Sequence, residues 1–194
     1  MKTLTETLQM ILEDEKEDWF IKRTNRHIDL VRKYCKKIYD LDPKRFPTII
    51  QQGSIHDASK FKAPEKDAYV HVNWHYKMKD AGKTYDVSPE MQDAMHKATL
   101  HHIKNNPHHV EFHTSQENVL NKDMKDRDKA VAVLIDGTKM PDKYIAEMCA
   151  DWSAMSEEKG TTPKDWADKM VNKKWKFTES QVKLIYELID NIWY

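Results

Sequence analysis

Apolar residues recur at intervals of three and four along most of the chain, the period of an α-helix rather than of a strand. In residues 19–39 the set Phe20, Thr24, Ile28, Val31, Cys35 and Ile38 follows this spacing and predicts a core-facing helix. Residues 5–18 form a more acidic amphipathic segment with Leu8, Ile11 and Leu12 at helical spacing. Asp42-Pro43 and Phe46-Pro47 mark a turn region, and a helix over 49–60 follows it. Pro64-Glu65 opens another, running through Tyr69 and Trp74. Ser88-Pro89-Glu90 reads as an N-cap with proline at the first helical position. The helix it starts passes through Met91, Met95, Ala98 and His102 and is broken by Asn105-Asn106-Pro107.

Residues 113–130 are charged and unpatterned, as expected of a surface excursion. Pro141 starts a helix over 142–159 with Ile145, Met148, Cys149, Trp152 and Met155 on one face. Thr162-Pro163 caps a short helix with Trp166 and Met170, and Thr178-Glu179-Ser180-Gln181 reads as a capping box. The last helix carries Val182, Ile185, Leu188, Ile189 and Ile192 on its apolar side. Only four glycines leave little room for hairpins, and no alternating run stands out. The expected fold class is all-α, with an N-terminal amphipathic extension over 1–18 and one helical domain over 19–194.

Composition narrows the function classes. Lys+Arg and Asp+Glu are equal at 32 each, so no basic excess points to a long nucleic acid. Cys35 and Cys149 fall on apolar helix faces and read as reduced core thiols, in keeping with a cytoplasmic protein. The N-terminus lacks the apolar run of a signal peptide, and no stretch approaches a membrane span.

The chemistry-bearing residues come in an order: His27, the doublet His56-Asp57, the doublets His101-His102 and His108-His109, then Asp151. Imidazole nitrogen and carboxylate oxygen together suit divalent first-row metals. His27 sits near the centre of its helix's apolar stripe, where both ring nitrogens need partners, whether protein groups or an ion. Asp151 lies on the flank of its helix face, about 60° from Met148. A buried carboxylate there must be paired, protonated or bound to a metal. Four histidines within nine positions around a helix break are hard to explain by packing. His71, His75, His96 and His113 lack such context and read as surface or supporting residues.

This order resembles the HD-domain superfamily, in which a His, a His-Asp doublet and a late Asp hold a divalent metal. His27, His56, Asp57 and Asp151 match that pattern. More closely, the chain is similar to an uncharacterised HD-like family of bacteria and their phages. That likeness runs through His56-Asp57-Ala58-Ser59-Lys60-Phe61, Pro64-Glu65, His101-His102, Asn106-Pro107-His108-His109, Met140-Pro141 and Glu147-Met148-Cys149-Ala150-Asp151-Trp152. The resemblance implies a helical bundle with a metal site between helices. It departs from common HD nucleotidases after the doublet, where Ala58-Ser59-Lys60 stands in place of a glutamate and the nearest acid is Glu65. Two-metal HD proteins imply a further arrangement: a bridging Asp57, with His27, His56 and Asp151 on one ion and His102 with His108 or His109 on the other.

The leading expectation is therefore a metal-dependent phosphohydrolase acting on a nucleotide or another small phosphorylated molecule. It would use one or two divalent ions (Mn, Fe, Co, Ni or Zn, with Mg also admitted). Asp57 is the central ligand. Lys60, about 300° round a helix from Asp57, is a candidate for neutralising phosphate charge. Glu65 is a candidate for orienting water or a histidine. An HD-type di-iron oxygenase and a non-catalytic, metal-stabilised binding module remain as alternatives. A homo-oligomer is left open, since Trp19, Tyr76, Trp193 and Tyr194 suit core packing as well as a dimer contact.

Overall fold

The computed structural model describes residues 3–115 and 133–193, with the side chains of 7–9 outside the description. It is all-α. Most of the unpatterned 113–130 stretch, and Tyr194, lie outside the described residues.

Helix α1 runs unbroken over Leu4–Leu41, joining the two segments read separately from the sequence. The first proline is Pro43 and no glycine precedes it, so nothing interrupts the backbone ladder. Helices α2 (Ile49–Ile55), α3 (Lys66–Asp80) and α4 (Pro89–Asn105) follow, with a 3-10 turn over Ala58–Phe61. The expected helix over 49–60 is thus cut short: α2 ends at Ile55, and His56-Asp57 form a turn. Beyond α4 come α5 (Val110–His113), α6 (Asp142–Lys159), α7 (Pro163–Met170) and α8 (Glu179–Trp193).

Caps sit where the sequence puts them. Ser88 Oγ accepts from Met91 N at 3.3 Å, and Thr162 Oγ1 from Asp165 N at 3.1 Å. Thr178 and Gln181 exchange the reciprocal bonds of a capping box at 3.2 and 2.9 Å. Gly160, at φ 64, ends α6 in the left-handed conformation that glycine adopts without strain. Two short strands went unread: β1 (Ile135–Asp136) pairs in parallel with β2 (Trp175–Lys176). Two residues are too few to leave a periodic signature.

The chain divides into two compact units, each with its own core. The first takes the chain to Arg26 together with Ala58–His102. Phe20 at its centre packs with Ala68, Tyr69, Val70 and Ala98, and meets the Phe61 ring at 5.4 Å. Lys66 to Glu17 (2.6 Å) joins α3 to α1, and the Lys77 ammonium sits over the rings of Trp19 and Trp74. The second unit takes His27–Asp57 and the chain from Ile103 onward. Val31, Cys35 and Ile38 of α1 pack there with Ile145, Cys149, Ile185 and Ile189 of α6 and α8. Tyr34 donates to Glu157 at 2.6 Å and stacks on Trp193. Among the described residues no helix is long and apolar enough to cross a membrane.

Candidate metal centre

Within the second unit, four segments aim imidazoles and carboxylates at one another. Helix α1 presents His27 from the middle of its apolar stripe, and the turn after α2 presents His56 and Asp57. The chain just before α5 presents His108, and α6 presents Asp151. His27 Nε2 lies 3.0 Å from Asp151 Oδ1 and 3.8 Å from Asp57 Oδ2. His56 Nε2 is 3.8 Å from Asp57 Oδ1 and 4.0 Å from Asp151 Oδ1, and His108 Nε2 is 3.8 Å from Asp57 Oδ1. Two overlapping triads result, His27/His56/Asp57 and His56/His108/Asp151; within each, all donor atoms lie within 4.8 Å of one another.

The other nitrogen of each ring faces a glutamate of α6. Glu147 Oε1 is 3.0 Å from His56 Nδ1 and 3.4 Å from His108 Nδ1, while Glu158 Oε2 is 3.4 Å from His27 Nδ1. Carboxylates in this outer position orient metal-binding imidazoles and raise their basicity. Neither glutamate received a role from the sequence. Their spacing from Asp151, four residues before and seven after, sets all three carboxylates on one side of α6 and could have singled them out.

A buried lone pair tests whether an ion fits. His56 is fully buried and commits Nδ1 to Glu147, so its Nε2 faces carboxylate oxygens and has no hydrogen-bond partner among the described residues. Acceptor opposed to acceptor is unfavourable in a buried site. A cation among these atoms removes the conflict, and hard oxygen with imidazole nitrogen is the donor set of a divalent first-row metal. Electrostatics agree. Burial disfavours charge on His27, but its bonds to Asp151 and Glu158 prevail and raise it to about 9. Burial likewise opposes charge on Asp151, yet His27 holds that carboxyl well below the usual range. Glu147, despite its burial, is lowered to about 2 by His108 and His56. The cluster attracts positive charge; these buried His/Asp groups could hold a metal ion. Asp57 adopts φ 58, a left-handed conformation that aspartate bears better than most side chains.

His109 stands at the N-cap position of α5 without a side-chain capping bond, its ring 4.2 Å from that of His108. In the first unit Glu65 is fully buried and binds His101 Nδ1 at 2.7 Å, His102 Nδ1 at 2.9 Å and the Ser59 hydroxyl at 2.9 Å. Burial would raise Glu65, but His102 leads the contacts that lower it. His102 also meets the Tyr69 ring edge-on at 5.5 Å, and the Lys60 ammonium stands 5.2 Å over that same ring. His71 pairs with the Tyr85 hydroxyl at 2.7 Å, and His113 with the Pro107 carbonyl at 2.8 Å.

The profile of a family of unknown function, DUF5662, spans residues 16–191. Neither the curated proteins nor the solved structures yield a match. With nearly all of its length inside that profile, the chain belongs to the family DUF5662.

Proposed function

We propose that the chain is a metal-dependent phosphohydrolase of HD type, acting on a nucleotide or another small phosphorylated molecule. The observation that carries this reading is the buried Nε2 of His56, turned toward Asp57 and Asp151 while Nδ1 is committed to Glu147. A divalent ion held there would lower the pKa of a bound water and polarise a phosphoryl oxygen. His27, His56, His108, Asp57 and Asp151 would hold it, and Glu147 and Glu158 would fix the rings. Asp151 is the one member of the set that solvent partly reaches, at 17% side-chain exposure, which leaves a side for a substrate to approach. Equal numbers of acidic and basic residues favour a small substrate over a polynucleotide.

A metal-stabilised, non-catalytic module is the second reading. It is favoured by the number of donors, five residues of which four are buried, which could saturate an ion. Metal analysis of protein purified without chelators or a polyhistidine tag comes first, followed by a phosphatase and nucleotide screen with the metal found. Stoichiometric metal with turnover supports the hydrolase. Metal whose removal unfolds the protein, with no turnover, favours the module; iron with oxygen consumption favours an oxygenase. Absence of metal, with no thermal stabilisation by added divalent ions, defeats the metal reading.

A further inference from the structure

One buried side chain serves two histidines of the cluster at once. Glu147 directs Oε1 at the Nδ1 atoms of both His56 and His108, and its Oε2 accepts from Gln52 Nε2 at 2.9 Å. The Gln52 amide is itself fixed at both ends. Its Nε2 also donates to the Lys143 carbonyl at 3.1 Å, and its Oε1 accepts from the Thr48 hydroxyl at 2.9 Å. Turning that amide over would set its oxygen against two acceptors. Gln52 therefore presents N–H to Glu147, and Glu147 presents an acceptor to both rings.

An ionised carboxylate only accepts hydrogen bonds, so an imidazole nitrogen bonded to it carries the proton. A neutral ring protonated at Nδ1 keeps its lone pair on Nε2, and the partner of one nitrogen thereby decides the role of the other. We propose that Glu147 is a positioning residue that sets the tautomer of His56 and His108 together, with Gln52 fixing the direction in which Glu147 accepts. The inference rests on reading the cluster as a metal site. It adds that two of its imidazole donors are prepared by one oxygen, so they are gained or lost as a pair.

Glu147→Gln separates shape from polarity. With Gln52 locked, an amide nitrogen at position 147 must face either the Gln52 N–H or the two Nδ1–H groups. The second choice drives the rings to the opposite tautomer and removes their lone pairs from the centre. Removing Gln52 frees the new amide to turn its oxygen toward the rings.

The first test needs no variant of the centre. Long-range 1H–15N NMR of histidine-labelled, metal-free protein at mildly alkaline pH should show His56 and His108 protonated at Nδ1 and bare at Nε2. Either ring carrying its proton on Nε2 overturns the proposal. The second test is cobalt(II) titration followed by its visible absorption. Glu147→Gln should weaken binding about 10–100-fold, and adding Gln52→Ala should restore part of the loss. Glu147→Gln binding cobalt as tightly as the unmodified protein also overturns it. Should the unmodified protein bind no cobalt, the metal reading fails, and the NMR experiment still decides the tautomer claim separately.

Discussion

Both units contain a buried glutamate that holds two imidazoles by Nδ1, yet the two clusters differ in charge. In the first unit Glu65 faces His101, His102 and the Ser59 hydroxyl, one carboxylate among three polar partners. In the second, Asp57, Glu147, Asp151 and Glu158 surround His27, His56 and His108, four carboxylates to three imidazoles. In the first cluster imidazoles outnumber carboxylate, two to one. Surplus carboxylate on the far side of the rings is what calls for a cation, and only the second unit, taken by itself, has it among the described residues.

The contrast breaks most directly at Asp57. Asp57→Ala should cut metal affinity by about 100-fold or more while circular dichroism retains most of the helix signal. Full metal content in that variant would remove Asp57 from the site.

pH separates the metal-free from the loaded state. His27 is raised from 6.5 to about 9 in the folded, metal-free protein. Its stabilising contribution is therefore complete below pH 6.5 and is lost as the pH rises through about 9, on the order of 3 kcal/mol. A bound cation takes the place of that proton, so thermal melts of loaded protein should lack this decline, and metal affinity should strengthen with pH across the same window. Parallel melts of the two forms over this range would refute the exchange.

Glu65→Gln probes the other cluster. It should lower stability by about 2 kcal/mol, the loss of a charge-assisted bond, as read by urea unfolding, and leave metal stoichiometry unchanged. A loss of metal would show that the two clusters are not independent. The smallest effect is expected at His113, whose ring Nε2 donates one bond to the Pro107 carbonyl. His113→Ala should cost no more than about 1 kcal/mol and spare metal content.

Much of the fold was legible because local signals and tertiary packing agree. The stripe from Phe20 to Ile38 and the caps at Ser88, Thr162 and Thr178 act within a few residues. The β1–β2 pairing is not local: it joins Ile135 to Trp175, forty residues apart, through two-residue strands. In the site, histidines and aspartates could be singled out by type and order, because few other roles bring such residues together. Glu147 and Glu158 are harder to single out, since glutamates on a helix are common and only their register with Asp151 sets them apart. The stretch carrying the doublet keeps a helical pattern in Ile49, Ile50 and Ile55, and nothing in that pattern marks Ile55 as the last helical residue.

That early stop has a geometric consequence. Side chains of adjacent residues diverge by about 100° around a helix and point to opposite faces of a strand. Neither regular path aims two neighbours at one point, yet His56 Nε2 and Asp57 Oδ1 approach to 3.8 Å. The left-handed residue just past the end of α2 folds the pair into a pincer. Extending α2 by two residues would swing one jaw away from the other without changing a single atom type, so the doublet owes its grip to punctuation in the chain.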